Sequence, residues 1–209
     1  MMEMEASEKR YAIFFVEGAT EKTFYSLLVE FLSKGKDQEE LPIFRFVDLK
    51  GENHFAQKAN AKALSLYLKN RPADHYDLFF CYDHDLFPDE PPFDWKKTKQ
   101  ELGKRNLEGH FISPIEQIED WFFLDEEGLL KYLRLPHDFD LAPYKKLHSS
   151  GLRKLFWKQR KVYRKGEKAK PFLQALSFPI LIEKIGEPLK PILHLFQGGL
   201  DKESILKSV

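Results

Sequence analysis

Two short, mostly apolar runs, each halted by carboxylates, constrain this chain more than any other feature. Residues 11–16 read YAIFFV and residues 77–82 read DLFFCY. A strand that is apolar on both faces must be covered on both faces, which is the condition of a parallel sheet inside an α/β layer structure. The first run gives way to Glu17-Gly18 and the second to Asp83-His84-Asp85.

The segments between fit that architecture. Gly18 breaks the first strand, and Thr20 is predicted to cap a helix with Phe24, Leu27, Leu28 and Phe31 at helical spacing. Residues 43–49 read as a second strand, ended by Gly51. Residues 55–69 read as a helix with Ala59, Ala63, Leu66 and Tyr67 inward. After the third strand comes a loop with Pro88, Pro91 and Pro92, a polar helix near 95–106 and a short strand at 110–113. Residues 116–133 read as one helix carrying Ile118, Trp121, Phe122, Leu129 and Leu130. Helices are predicted over 152–164 and 171–196, the second broken at Gly186-Glu187-Pro188. Alternating strands and helices imply βαβ units with right-handed crossovers. The expected fold is therefore α/β: a parallel sheet of about four strands flanked by helices. Residues 9–140 would form that domain, and 141–209 a helical C-terminal appendage packed on it.

Composition narrows the environment. Of 209 residues, 43% are hydrophobic, enough for a core without staples. The single cysteine, Cys81, excludes an internal disulfide and any cysteine zinc site. The charged beginning is unlike a signal peptide, and no apolar run nears the ~20 residues of a membrane helix. A cytoplasmic protein without a membrane partner is expected. The net charge of zero conceals an asymmetry. Residues 74–140 hold 17 Asp and Glu against 7 Lys and Arg, whereas 145–170 hold 11 Lys and Arg against one acid, Glu167. An acidic stretch beside a basic one suits a metal site next to a polyanion surface, or simply a solvated basic helix face.

In open α/β sheets the functional crevice lies beyond the carboxyl ends of the strands. Both acidic clusters sit at such ends. Period-2 geometry puts Asp83 and Asp85 on one face, ~6–7 Å apart at Cα, with His84 turned away. Two carboxylates ~5 Å apart at an effective dielectric of about 20 repel by ~3 kcal/mol, which a divalent cation offsets. Other chemistries lack their motifs. There is no G-x-x-x-x-G-K-[ST], no G-x-G-x-x-G, no H-E-x-x-H and no G-x-S-x-G, and the seven histidines are scattered. Hard oxygen ligands favour Mg²⁺ or Mn²⁺ over zinc.

Residues 15–24, FVEGATEKTF, resemble the first motif of TOPRIM domains, a strand ending in Glu-Gly. The V-E-G-x-T-E form is similar to small prokaryotic TOPRIM proteins related to the OLD-family nucleases. Asp83-His84-Asp85 resembles the family's D-x-D, and Ser113-Pro114-Ile115-Glu116 with Glu119-Asp120-Trp121 resembles a later Pro…Glu-x-Trp feature. The resemblance spans residues 11–130. It implies a nuclease that hydrolyses DNA or RNA phosphodiesters with Mg²⁺ or Mn²⁺, as two ions. Glu17 would be ligand or general acid/base, Asp83 and Asp85 ligands, and Glu21 and Glu119 further ligands. Gly18 would let the backbone approach a phosphate. OLD-like enzymes also place a catalytic lysine late in the chain, for which Lys165, Lys168 and Lys170 are candidates and Lys168 is chosen. Because no phosphate loop is present, any ATPase partner would be a separately encoded chain. The resemblance further implies a role in defence against phage or mobile DNA.

Each of these residues has an ordinary structural alternative. Glu21, Glu116, Glu119 and Asp120 lie in first helical turns, where acids complement the dipole. Asp83 could cap a loop and Asp85 could serve a turn. Lys50-Gly51-Glu52-Asn53 is equally a family loop near the site or a plain strand-to-helix turn. Arg153, Lys154, Lys158, Arg160, Lys161, Arg164 and Lys165, interleaved with Phe156, Trp157 and Tyr163, would bind phosphates while aromatics stack on bases. Otherwise the two α-helical aromatics Phe156 and Trp157 are core and the cations merely solvated. Trp121 and Cys81 are expected to be buried and inert.

Overall fold

The computed structural model describes residues 9–50, 55–69, 75–83, 95–104, 107–114 and 116–196. Four parallel strands, β1 (Arg10–Val16), β2 (Ile43–Asp48), β3 (His75–Cys81) and β4 (Glu108–Ile112), lie in the order β2-β1-β3-β4. The two apolar runs of the sequence are thus the central pair, in register from Arg10 against His75 to Val16 against Cys81.

Aromatic side chains tie the strands together on both faces. Phe14 stacks on Phe79 at 4.5 Å and on Phe46 at 5.0 Å, while Phe15 stacks on Phe80 at 5.3 Å and Phe80 on Phe111 at 5.1 Å. Each such pair adds ~0.5–1.5 kcal/mol beyond the area it buries.

Connections decide which helices cover which face. Helix α1 (Ala19–Leu32) leads from β1 to β2 and packs Phe24, Leu27 and Leu28 against the face of Phe14 and Phe79. Helix α2 (Phe55–Lys69) leads back across β1 to β3, and α3 (Trp95–Gly103) leads on to β4. They cover the opposite face, with Ala59, Ala63 and Leu102 against Phe15 and Phe80. The chain moves one way from β1 and the other way from β2 onward. Connections of one hand therefore need helices on opposite faces. The reversal falls between β1 and β3, and an α/β crevice opens at such a point.

After β4 come α4 (Ile118–Phe122), α5 (Glu126–Leu133), α6 (Ala142–Lys145), α7 (His148–Lys158), α8 (Lys170–Leu173), α9 (Phe178–Ile185) and α10 (Lys190–His194). Leu152, Phe156, Phe172 and Leu181 share one continuous core with Phe14, Phe24 and Phe79. Residues 141–196 are therefore packed on the α1 face of the sheet.

Several expected elements differ. Helix α1 is capped by Gly18, and the Thr20 hydroxyl instead accepts a hydrogen bond from the Gly166 N–H at 2.9 Å. The predicted helix 116–133 is two helices. Asp125 interrupts it by accepting from the Gly128 N–H at 3.0 Å and the Ser177 N–H at 2.6 Å, so one carboxylate starts α5 and anchors the approach to α9. The helix expected at 152–164 runs Leu152 onward only to Lys158 and begins earlier, at His148. Among the described residues no helix is long and apolar enough to cross a membrane.

Candidate metal centre

Glu17 follows β1 and Asp83 lies two residues past β3, so the switch between the central strands sets both carboxylates at one end of the sheet. Both are buried. The Asp83 N–H donates to Glu17 Oε2 at 3.2 Å, and Asp83 Oδ1 accepts from the Ile118 N–H at 2.9 Å. Asp83 thereby fixes the start of α4, which carries Glu119. Glu21, in the first turn of α1, and Glu119 are buried too, Glu119 completely.

The other side of the site comes from the C-terminal third. Gly166 takes a positive φ of 77°, and a Cβ there would lie 3.0 Å from the Ala19 Cβ. Only a residue without a side chain approaches α1 so closely in that backbone conformation. Together with the Thr20 bond, this docks the segment after α7 on the start of α1. Lys165 and Tyr163 are delivered to the carboxylates. Lys165 Nζ lies 3.2 Å from Glu119 Oε1, and the Tyr163 hydroxyl donates to the same oxygen at 3.2 Å. Glu119 Oε2 is buried with no hydrogen-bond partner.

These neighbours set the protonation of the group. Burial, then the Glu21, Glu17 and Glu119 charges, push the Asp83 carboxyl up to about 9, against the lowering effect of the Ile118 N–H. Burial also raises Glu21, opposed by backbone N–H groups of Glu21 and Gly18. Burial works to lower Lys165, but Glu119, Glu21 and Asp83 outweigh it and hold the ammonium above its ordinary range. Burial and the Glu119 carboxylate raise the Tyr163 phenol, so that group stays a hydrogen-bond donor. Burial likewise pushes the Cys81 thiol up, as expected for an inert cysteine.

The structure brings together Glu17, Glu21, Asp83 and Glu119, with Gly18 capping α1 beside them. Asp85 and the Gly51-Glu52-Asn53 stretch lie outside the described residues. All three late lysines, Lys165, Lys168 and Lys170, are exposed, and of them Lys165, its side chain 48% exposed, is the one paired with a carboxylate of the group, Glu119. Glu116 and Asp120 point elsewhere, to Nε2 and Nδ1 of His148 at 2.7 and 2.8 Å. Trp121 and Phe156 are core, while Trp157 is exposed. Of the basic stretch, Lys161 donates to the Tyr132 carbonyl at 2.6 Å and Lys158 lies over the Phe139 ring at 5.5 Å. Arg153, Lys154, Arg160 and Arg164 are exposed.

Sequence reasoning missed the junction itself: Tyr163 as the partner of Glu119, and Thr20 with Gly166 as the clasp. The Tyr163-x-Lys165 spacing after a helix was the available signal. It also missed a second group. Asp77, Glu108 and His110 hold their ligand atoms within 4.8 Å of one another, at the amino ends of β3 and β4. Among the described residues this is the group with that closure, and the four carboxylates at the other end do not reach it. What suits the four carboxylates to a hard divalent cation is the chemistry of their oxygen donors and the buried, unpartnered Glu119 Oε2.

Comparison with family models, with curated proteins and with solved structures gave no match to this chain. The fold is α/β with an all-parallel four-stranded sheet.

Proposed function

We propose that this chain is a Mg²⁺- or Mn²⁺-dependent nuclease of TOPRIM type, related to the OLD-family enzymes and acting on DNA or RNA. The observation that carries the reading is a buried carboxylate group at the switch point, with a free oxygen on Glu119 and a cation, Lys165, at its edge. Glu17, Glu21, Asp83 and Glu119 would hold the metal, with Asp85 as a further ligand. Divalent ions held by these residues would supply activation of water and charge stabilisation at the attacking and leaving oxygens of a phosphodiester.

The chain's own groups account for the rest. Lys165 offers positive charge to the phosphoryl oxygens as charge develops on them. Tyr163 fixes one oxygen of the Glu119 carboxylate, leaving the second buried without a hydrogen-bond partner. Asp83 couples the sheet to α4 through the Ile118 N–H, so displacement of either element disturbs both ligands. Any ATPase that works with this chain is a separate protein, and defence against phage or mobile DNA is the biological setting proposed.

A second reading has two observations in its favour. Lys165 already neutralises part of the group, and the four carboxylates do not close as tightly as the Asp77 group does. A nucleic-acid-binding module with a silent acidic site would look like this. The deciding experiment incubates purified protein with labelled single- and double-stranded DNA and RNA in Mg²⁺, Mn²⁺ or EDTA, beside Glu17→Ala and Asp83→Ala. Metal-dependent cleavage that falls at least ~100-fold in both variants is expected. Binding without cleavage by the wild type would move the assignment to the binding module.

A further inference from the structure

Helix α7 turns one aromatic inward and its neighbour outward. Phe156 is buried, whereas Trp157 is 76% exposed. Val162, five residues on, is 61% exposed. Trp157 and Val162 line a shared cavity of about 380 Å³ with Arg153, Lys154, Lys161 and Tyr163. Large apolar side chains left in solvent together at one concave place mark a binding surface more often than chance scatter does.

Two features say what covers this one. Its apolar floor is edged by cations. Arg153 and Lys154 are exposed and form no ion pair with a carboxylate among the described residues. The cavity also adjoins the carboxylate group through a single side chain. Tyr163, held edge-on by Phe156 and Phe172 at 5.3 and 6.2 Å, lines the cavity and donates its hydroxyl to Glu119. An occupant resting on Trp157 is thus one residue removed from the proposed cleavage site. A polyanion with flat apolar faces matches both features. Duplex nucleic acid keeps those faces stacked inside, and a single strand presents them.

We propose that the Trp157 cavity is a stacking site for an unpaired base, making single-stranded nucleic acid the substrate class of this protein. The proposal rests on the nuclease reading for the nature of the polyanion. Arg153 and Lys154 contact the phosphates flanking the stacked base, and Val162 closes its far edge.

The test is binding in EDTA, where no hydrolysis intervenes. Fluorescence anisotropy of labelled single-stranded DNA and RNA, and of the same sequences as duplexes, is read for the wild type, Trp157→Ala and Trp157→Phe. Trp157→Ala is expected to weaken single-strand binding ~10-fold and duplex binding less than about twofold, with Trp157→Phe keeping most of the affinity. Arg153→Ala and Lys154→Ala should each make the salt dependence of binding shallower by about one unit of log–log slope. Because Trp157 is exposed, its variants should melt like the wild type, which separates lost binding from lost folding. Unchanged single-strand affinity in Trp157→Ala overturns the proposal, as does equal loss on duplex, or a wild type that binds no oligonucleotide because the surface serves a protein partner. Single-strand binding through Trp157 with no cleavage in Mg²⁺ or Mn²⁺ sinks the nuclease reading and leaves the stacking site standing as a binding site, its ligand no longer a substrate. Metal-dependent cleavage indifferent to Trp157 does the reverse.

Discussion

The two ends of the sheet each gather acidic side chains, and they do so on opposite terms. At the amino ends, Asp77, Glu108 and His110 close within 4.8 Å, yet Asp77 is already matched by Arg10 at 3.0 Å and His75 at 3.4 Å, and the Glu108 side chain is 64% exposed. At the carboxyl ends, Glu17, Glu21, Asp83 and Glu119 are looser but all buried, with one oxygen unpartnered and the Asp83 carboxyl raised to about 9. Closeness alone therefore does not define a site. A satisfied cluster stabilises the fold. A buried cluster that repels itself is retained at a cost, and such cost accumulates where function needs it.

The largest expected effect tests that contrast through activity. Glu119→Gln keeps the size of the side chain and its bond to Tyr163 while removing a charge from the carboxyl-end group. Metal-dependent cleavage should fall roughly 100-fold or more. His110→Ala, at the other end, should leave cleavage within about twofold. Rates measured for the two variants under saturating Mn²⁺ decide the matter. An inactive His110→Ala with an active Glu119→Gln would invert the assignment of the two ends.

Much of this was legible in the sequence, and the part that was not has physical causes. Continuous apolar runs gave β1 and β3, and the carboxylates that halt them, Glu17 and Asp83, lie together at the carboxyl ends of those strands. Local pattern carries such information because a strand buried on both faces keeps few polar positions, Asp77 in β3 being held there by Arg10. The second half of the site is built by tertiary contacts between residues far apart in sequence. Nothing local in Gly166 announces that its N–H meets Thr20, 146 residues away. The choice among Lys165, Lys168 and Lys170 depends on that clasp, as does the role of Tyr163. Asp125 was hidden similarly. An acid amid 116–133 fits a continuous helix by periodicity, and its bonds to the Gly128 and Ser177 N–H groups show why the helix is interrupted.

A smaller effect sharpens the comparison through pH. In the fold the Asp83 carboxyl is pushed from its ordinary 3.8 up to about 9, mainly because it is buried and then because Glu21, Glu17 and Glu119 surround it. The folded chain thus holds a proton that the unfolded chain releases. Stability from that proton is fully present below about pH 4 and is lost as pH climbs towards about 9. Asp83→Asn abolishes the titration and retains an oxygen for the Ile118 N–H. In EDTA the variant should match the wild type near pH 4 and melt several degrees higher, roughly, at pH 8.5. Saturating Mn²⁺ should narrow the gap by stabilising the wild type alone. A gap constant from pH 4 to 8.5 would mean that Asp83 is not held as a strained carboxyl.

The smallest effect belongs to the amino end, where the acids are satisfied. Asp77→Asn removes the charge that pairs with Arg10 and His75, both of them about half exposed. Because water screens such partners, the loss should be only ~1 kcal/mol, seen as a drop of roughly 2–4 °C in melting temperature. The same drop should appear in EDTA and in Mn²⁺, since a carboxylate already paired with Arg10 gains little from a metal. The thermal shift that Mn²⁺ gives the wild type should survive in Asp77→Asn and disappear in Asp83→Asn. If Asp77→Asn instead erased the Mn²⁺ shift, the closed triad would be where the ion binds, and the buried carboxylates at the other end would need a different explanation.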